Sequence, residues 1–148
     1  MACSKKDQVE RPARAVVAVI RNADDESFLV IKRAENIRAP GKICFPGGGI
    51  EPGESEHVAL IREIKEEIGI DIDPLVNVYN SVTPWGVHVS WYTAKMLTHE
   101  ILVDPQEVQW CRWLSEAEVR RHPDLLESNR QFFDALDANV FQLPDVTA

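Results

Sequence analysis

Six glutamates crowd one segment of the chain, residues 48–70, which reads GGIEPGESEHVALIREIKEEIGI. They are Glu51, Glu54, Glu56, Glu63, Glu66 and Glu67. The only full positive charges between them are Arg62 and Lys65, and carboxylates this close repel one another unless a cation lies among them. Mg²⁺ prefers oxygen ligands and is commonly held by a few carboxylates together with a substrate phosphate. The segment therefore predicts a divalent-metal site and an enzyme of phosphate chemistry.

A helix has to position these carboxylates, and the sequence predicts one over residues 55–68. Ser55 suits the N-cap and Glu56 suits the first turn, where a negative charge is favourable. Gly69 suits the position just after the last helical residue. The preceding residues 46–49, Pro-Gly-Gly-Gly, form a loop whose backbone can approach a ligand closely and offer carbonyl oxygens to a metal.

A helical wheel divides the side chains of this helix at about 100° per residue. With Ile61 at its centre, the apolar stripe predicted to dock on a sheet consists of Val58, Ile61, Ile64 and Ile68. The face predicted to turn away from the core carries Glu63, Glu66 and Glu67, with Glu56 two turns earlier. Lys65 is predicted to extend past the edge of the apolar side.

A solvated acidic face is the alternative interpretation, since most glutamate runs on helices simply face water. Such a face usually has lysines four residues from its glutamates, whereas this one has only Arg62, four residues before Glu66. The glycine-rich loop directly before the helix would also be unexplained. These two features favour the metal site.

Size and charge narrow the class of protein. A chain of 148 residues with 45% apolar and 27% charged residues is typical of one soluble globular domain. A net charge of −8 argues against a nucleic-acid polymer as the partner, because such binding requires a basic face. An acidic enzyme can still bind a small polyphosphate when metal ions bridge the two anions.

The cysteines and the hydropathy pattern predict a cytoplasmic protein. Cys3, Cys44 and Cys111 form no CxxC pair and no disulfide framework, so we expect reduced thiols. The N-terminal residues are polar and lack the apolar core of a signal peptide. No run of residues approaches the roughly 18 apolar residues of a membrane span, and we expect no membrane partner.

The remaining pattern predicts an α/β domain with a mixed sheet, one central helix and C-terminal helices. Strands are predicted over residues 13–20, 28–31, 76–82, 87–97 and 108–114, and a short apolar piece, residues 43–45, leads into the glycine-rich segment. The first two are predicted to form a hairpin around the turn at residues 22–27. A short helix begins at Ser115, and the last helix is predicted over residues 123–136. We expect residues 1–12 to be a disordered lead-in, residues 13–140 a single domain and residues 141–148 a tail.

The segment resembles the Nudix box. Gly48, then five residues, Glu54, then seven residues, and the run REIKEEIGI from Arg62 to Ile70 match the box at every defined position. The preceding Phe-Pro-Gly-Gly, residues 45–48, is similar to the family's usual lead-in. The resemblance implies an α/β/α sandwich and a Mg²⁺- or Mn²⁺-dependent hydrolase, in which water attacks the phosphorus of a nucleoside diphosphate linked to another group.

The resemblance also implies roles for individual residues. Glu63, Glu66 and Glu67 would be metal ligands, Arg62 would orient a neighbouring carboxylate, and the carbonyl of Gly47 would complete a metal shell. The general base would be Glu63 or a glutamate from a later loop. For that loop residue, which many family members supply, the candidates are Glu107 first and Glu100 second.

The substrate is left open by the box. We expect a (deoxy)nucleoside triphosphate or a related small nucleotide, with Arg33 and Arg38 meeting phosphates and Trp85 stacking on the base. Asn129 lies near the place where the MutT branch reads an oxidised guanine. Pro84 favours an ADP-ribose or NDP-sugar substrate instead, and residues 29–48 are similar to a motif of coenzyme A pyrophosphatases.

Two further expectations concern binding. A non-catalytic nucleotide sensor is the alternative of another class, but such modules typically lose box glutamates, and all are present here. The expected partner is a small nucleotide, and homodimers are common in the family the chain resembles.

Overall fold

Two β-sheets form the centre of the structure, a computed structural model that describes residues 13–146. The strands are β1 Arg14–Val19, β2 Phe28–Arg33, β3 Ile43–Cys44, β4 Gly47–Gly49, β5 Ile72–Val82, β6 His88–Met96 and β7 Val108–Leu114. The helices are α1 Glu56–Ile68, α2 Glu116–Arg121 and α3 Glu127–Asp137. The predicted lead-in, residues 1–12, and the last two residues of the predicted tail lie outside the described residues.

The sheets are stacked between helices. One sheet has the strand order β4-β1-β6-β5, with β1 and β6 parallel, and the other is antiparallel with the order β3-β2-β7. Val16 and Ala18 of β1 pack in the core cluster that contains α1. Val19 of β1 packs in a second cluster, which contains Phe132 and Phe133 of α3. Helices therefore cover both faces, and the predicted α/β/α sandwich with a mixed sheet is confirmed.

The predicted hairpin between the first two strands is wrong. The turn is present, since Asn22 N donates to Ser27 O over 2.8 Å, but β1 and β2 belong to different sheets. Only one isolated bridge, Arg21 with Phe28, continues the turn among the described residues. Because β4 and β6 already flank β1 on both sides, β2 has no free edge of β1 to pair with.

Two element boundaries differ from the prediction by four residues. β5 begins at Ile72, four residues before the predicted start. The last helix begins at Glu127 and not at residue 123. The reason lies in Ile43, whose N–H donates to Asp124 O and whose carbonyl accepts from Leu126 N, each over 2.9 Å. Residues 124–126 are thus held beside β3 in an extended conformation before the helix can start.

Helix α1 has the predicted ends. Ser55 Oγ accepts from Val58 N over 3.2 Å, and Gly69 donates its N–H to Lys65 O over 3.0 Å in a left-handed conformation with φ of 74°. A Cβ at Gly69 would come within 2.9 Å of Leu102 O, so a larger residue would be both strained and crowded there.

The predicted orientation of α1 is wrong. Val58 is 54% exposed and Ile61 is 39% exposed, whereas the stripe predicted to be buried has Ile61 at its centre and includes Val58. The buried residues are Ala59, Leu60, Ile64, Glu67 and Ile68. The helical wheel assumes that the apolar side chains around Ile61 face the core. In the structure, the sheet covers the face that contains Leu60, Ile64 and one carboxylate, Glu67. Lys65 is exposed and pairs with Asp71 over 3.2 Å.

Residues 141–146 pack against the domain. Phe141 stacks on Tyr79 of β5 with ring centroids 4.8 Å apart, and Leu143 packs against the α3 cluster. Arg21 donates a hydrogen bond to the carbonyl of Pro144. Within residues 13–146, none of the helices has the length and apolar character needed to cross a membrane.

Candidate active site

Arg62 connects helix α1 to the segment that precedes it. Its Nε and Nη2 donate to the two carboxylate oxygens of Glu54, each over 2.7 Å, and Nη2 also donates to Gly49 O over 3.0 Å. This forked pair is the geometry in which an arginine–carboxylate interaction is strongest. The hydrogen bonds from Arg62 lower the pKa of Glu54 to about 2, so that this carboxylate is ionised at any physiological pH.

Glu63 lies between Arg62 and the glycine loop. Its Oε1 accepts from Arg62 Nη1 over 3.0 Å, and its side chain is only 15% exposed. A Cβ at Gly48 would lie 2.3 Å from the carboxyl carbon of Glu63, so only glycine leaves room for this carboxylate. Burial raises the pKa of Glu63; Arg62 opposes that shift, and the charges of Glu66 and Glu107 add to it.

Glu67 is the most buried acid of the site. It is 5% exposed, and its Oε1 accepts from Gly47 N over 2.9 Å. Burial raises the pKa of Glu67 well above its ordinary value, and the negative charges of Glu63 and Glu107 act in the same direction. Such a group is costly to ionise unless a cation compensates it.

Glu66 and Glu107 complete the acidic group. Glu66 is half-exposed, with its carboxylate 3.3 Å from Arg62 Nη1. Glu107 lies in the turn before β7, where its carbonyl accepts from Ala34 N over 2.9 Å. Because its charge raises the pKa of both Glu63 and Glu67, Glu107 belongs to the same group of acids. Glu100, the second candidate, is exposed in the segment between β6 and β7.

These residues fit a hard divalent cation. The donors are carboxylate oxygens, the type that Mg²⁺ and Mn²⁺ prefer, and buried Glu67 lies near part-buried Glu63, both with raised pKa values. In the part of the chain that the structure describes, no three acidic, histidine or cysteine side chains stand ready as a metal-binding group. Glu63 and Glu66 instead face Arg62, and Glu67 faces Gly47, so binding requires these side chains to turn.

Two arginines were predicted to meet phosphates. Arg33 lies close to the acids, since its positive charge lowers the pKa of Glu67 against the effect of burial. Its Nε donates to Arg38 O over 2.8 Å, while Arg38 itself is exposed. The loop between β2 and β3 is further held by Gln109, whose Nε2 donates to Arg33 O over 3.0 Å. The structure thus brings Arg33 to the acids and leaves Arg38 on the loop surface.

The two residues predicted to contact the base occupy different environments. Asn129 is 2% exposed, and its Oδ1 accepts from Phe45 N over 3.0 Å, which ties α3 to the segment before the glycine loop. Trp85 is 57% exposed in the turn between β5 and β6, at the other side of the sheet from β4.

Glu56 has partners that the sequence did not predict. It was placed with the metal-facing glutamates, but its carboxylate accepts from Tyr92 Oη over 2.5 Å and from Ser90 Oγ over 2.6 Å. Arg14 Nη2 adds a contact of 3.2 Å. The partners are 34, 36 and 42 residues away in the chain, and no local spacing signals such contacts.

A cavity of about 740 Å³ lies away from the acids. Its walls include Arg21, Thr93, Lys95 and Trp113, near the ends of β1, β6 and β7. None of the box glutamates lines it, and both Asp24 and Asp145 add negative charge to its rim. It therefore is not the metal-binding part of the molecule.

Comparisons with known proteins identify one protein family. The NUDIX domain model matches residues 11–136. The 8-oxo-dGTP diphosphatase of Escherichia coli (strain K12) is 44% identical over 54 residues, which are 36% of this chain and 41% of that protein. The ADP-ribose pyrophosphatase of Methanocaldococcus jannaschii is 45% identical over 74 residues, 47% of this chain and 41% of that protein. The chain thus matches less than half the length of these curated relatives.

A solved structure extends the likeness to the whole domain. The MutT protein from Methanosarcina mazei Go1 superposes with a TM-score of 0.71 at 28% identity. The superposition covers 88% of this chain and 97% of that one.

Proposed function

The chain belongs to the NUDIX domain family, and on that basis we propose that it is a divalent-metal-dependent nucleotide pyrophosphohydrolase. Water attacks a phosphorus atom of a nucleoside diphosphate that is linked to another group, and the diphosphate is cleaved. The observation that carries the proposal is that buried Glu67 and part-buried Glu63 lie beside Glu107, with raised pKa values for Glu67 and Glu63. Acids in this arrangement require a cation, and the cation in turn attracts a polyphosphate.

Four glutamates would hold the metal, Mg²⁺ or Mn²⁺, namely Glu63, Glu66, Glu67 and Glu107, together with the carbonyl of Gly47. Bound there, the metal supplies charge neutralisation of the diphosphate and lowers the pKa of a coordinated water. Arg62 orients Glu63 and Glu66 through Nη1, while its bond to Glu54 keeps the helix and the loop in register. Arg33, next to the acids, binds the anionic substrate.

The general base is Glu63 or Glu107. A base works best when its pKa approaches the operating pH, and burial raises the pKa of Glu63 in that direction. Glu107 lies in a turn outside the helix and can approach the water from the other side of the acidic group. Both residues therefore stay candidates, and the pH profiles of their glutamine variants distinguish them. Only the variant that lacks the base should lose the decrease in rate at acidic pH that protonation of the base causes.

A (deoxy)nucleoside triphosphate or a related small nucleotide is the substrate we propose. The relative from E. coli acts on 8-oxo-dGTP by its name, and a relative from Salmonella arizonae, 38% identical over 76 residues, is named a nucleoside triphosphatase. ADP-ribose is the second candidate, supported by the relative from M. jannaschii. A nucleotide sensor without activity is the least favoured alternative, because every glutamate of the box is in place.

A nucleotide panel tests the proposal. The purified protein is given nucleoside triphosphates, their oxidised forms, ADP-ribose, NDP-sugars and coenzyme A, with Mg²⁺ or with EDTA, in isotopically labelled water. We expect Mg²⁺-dependent cleavage of at least one compound, with the label on a phosphate of the product. Nucleotide binding without turnover of any of these compounds would favour the sensor, and turnover that persists in EDTA would contradict the metal site.

Location and assembly are part of the same proposal. Cys44 and Cys111 are free thiols, which suits the reducing cytoplasm where such nucleotides are found. We further propose that the enzyme works without a nucleic-acid polymer or a membrane partner, and that a homodimer is the assembly to look for by size-exclusion chromatography.

A further inference from the structure

Glu56 connects the first turn of α1 to two strands of the mixed sheet. Its two carboxylate oxygens accept from Tyr92 Oη and Ser90 Oγ, over 2.5 Å and 2.6 Å, and Arg14 Nη2 lies 3.2 Å away. Hydrogen bonds to an ionised acceptor are shorter and about twice as strong as neutral ones. Tyr92 is 7% exposed, so this contact lies at the edge of the core.

The ionisation states keep this connection intact over the physiological range. Burial favours the neutral form of Glu56, but the hydrogen bonds from Ser90, Tyr92 and Arg14 outweigh it and lower the pKa of this carboxyl. Burial, followed by the bond to Glu56, raises the pKa of Tyr92 to about 12. The acceptor is therefore charged and the donor is protonated at neutral pH.

Arg14 extends the connection to the glycine loop. Its backbone carbonyl accepts from Ile50 N over 3.0 Å, at the start of the loop that leads into α1. Its side chain contacts Glu56, at the end of the same loop. One residue of β1 thus holds both ends of the connection between β4 and the helix. Arg62 holds the middle of this loop through Glu54.

The position of Glu56 on the helix matters for the acids of the site. Glu56 and Glu63 are seven residues apart, so they lie on the same face, about 10 Å apart along the axis. The carboxyl group of Glu63 lies against Gly48 of β4. A rotation or shift of α1 would therefore change the distance of Glu63 from β4 and the spacing of the acids.

We propose that Glu56, held by Tyr92 and Ser90, is a positioning residue that fixes α1 so that Glu63, Glu66 and Glu67 form a metal site. This inference rests on the proposed function and extends it to a residue that touches neither metal nor substrate. Residues that support metal ligands from behind typically change metal affinity by about tenfold or more when they are removed.

The test measures metal binding in the absence of nucleotide. Mn²⁺ affinity is determined by electron paramagnetic resonance or calorimetry for the wild type, Glu56→Ala, Glu56→Gln and Tyr92→Phe. We expect Glu56→Ala to weaken Mn²⁺ binding about tenfold and Tyr92→Phe to weaken it by a smaller factor. Glu56→Gln should restore most of the affinity, because its side-chain oxygen still accepts from Tyr92.

A matched control separates positioning from simple loss of stability. Arg120→Ala removes charged hydrogen bonds elsewhere in the fold, where two nitrogens of Arg120 donate to Asp137 over 2.9 Å each. We expect this variant to lower the thermal unfolding temperature and to leave Mn²⁺ affinity unchanged. Glu56→Ala with wild-type affinity, or with a loss no larger than that of Arg120→Ala, would overturn the inference.

The outcome also distinguishes this inference from the proposed function. A wild-type protein that binds no Mn²⁺ and hydrolyses no nucleotide would refute the proposed function, whatever the variants do. A wild type that binds Mn²⁺ and hydrolyses nucleotide, with a Glu56→Ala variant of equal affinity, would refute only the role of Glu56.

Discussion

Gly48 lies directly against Glu63: a Cβ on the glycine would come within 2.3 Å of the carboxyl group of the glutamate. Gly48 pairs with Val16 in the antiparallel register of β4 with β1. The absence of a side chain at Gly48 thus leaves the space that the carboxylate of Glu63 occupies.

Gly48→Ala should abolish most of the activity while leaving the fold in place. The added methyl group displaces Glu63 from its position, and we expect kcat to fall by about a hundredfold or more, as for the loss of a group that stabilises the transition state. The control is Gly49→Ala, where the nearest atom to a new Cβ is Arg14 O at 4.0 Å. Steady-state kinetics and circular dichroism of both variants check this, and equal kinetics for the two would contradict it.

Arg62→Lys should also lower kcat, because a lysine cannot replace the forked pair with Glu54 and the bonds to Glu63 and Glu66. The variant keeps the positive charge, so a loss of activity would reflect geometry. Arg120→Lys is the matched control, since it weakens a similar forked pair between α2 and α3. We expect a lower melting temperature for both variants and a lower kcat for Arg62→Lys alone. An unchanged kcat in Arg62→Lys would contradict this prediction, because it would show that a positive charge at this position is enough for activity without the forked geometry.

The buried acid Glu67 predicts that the metal-free protein loses stability as pH rises. Its pKa is raised well above 4.5, so between 4.5 and the raised value the folded state binds the proton more tightly than the unfolded state. Stability from this group is therefore present at low pH and is lost as pH increases through that window. Mg²⁺ should restore it by compensating the ionised carboxylate.

The measurement is the free energy of unfolding in EDTA, from about pH 4 to about pH 8, for the wild type and Glu67→Gln. The glutamine retains an oxygen that accepts from Gly47 N but does not ionise. We expect Glu67→Gln to become more stable than the wild type as pH rises, and the two to converge near pH 4. A difference between the two proteins that does not vary with pH would contradict the raised pKa.

Asn129→Ala should destabilise the protein as well as affect any role in base recognition. The substitution leaves the N–H of Phe45 buried without its acceptor, which costs about 1–3 kcal/mol. Asp134→Ala is the control, since Asp134 is an exposed residue of the same helix. Chemical denaturation of the two variants checks the difference. A loss of stability as large in Asp134→Ala would contradict the importance of the bond to Phe45.

Local signals in the sequence were sufficient for much of the fold and the site. The ends of α1 follow from Ser55 and Gly69, because capping depends on residues within one turn. The spacing of the box acids and the position of Glu107 before β7 predict one group of carboxylates, and these side chains do lie near one another. These features depend on short stretches of chain, in which residue type and spacing determine the geometry.

Long-range contacts account for what the sequence did not predict. The predicted hairpin is wrong because the strands that pair with β1 are β4 and β6, which are not its neighbours in the sequence. The wheel of α1 failed because Glu67 is buried and Ile61 is exposed, which reverses the usual preference. The helical wheel groups Glu56 with the metal ligands. Its bonds to Ser90 and Tyr92 join distant segments of the chain, so the local sequence gives no sign of them.

The central claim is that the glutamates of α1 catalyse metal-dependent hydrolysis, and Glu66→Gln tests it most directly. Glu66 is half-exposed, so the substitution should leave the fold and the melting temperature unchanged. The measurement is kcat at saturating Mg²⁺ on whichever nucleotide the wild type cleaves, with the exposed Glu127→Gln on α3 as the control. The account predicts a fall of about a thousandfold for Glu66→Gln and wild-type kcat for Glu127→Gln. A kcat close to that of the wild type in Glu66→Gln would contradict it.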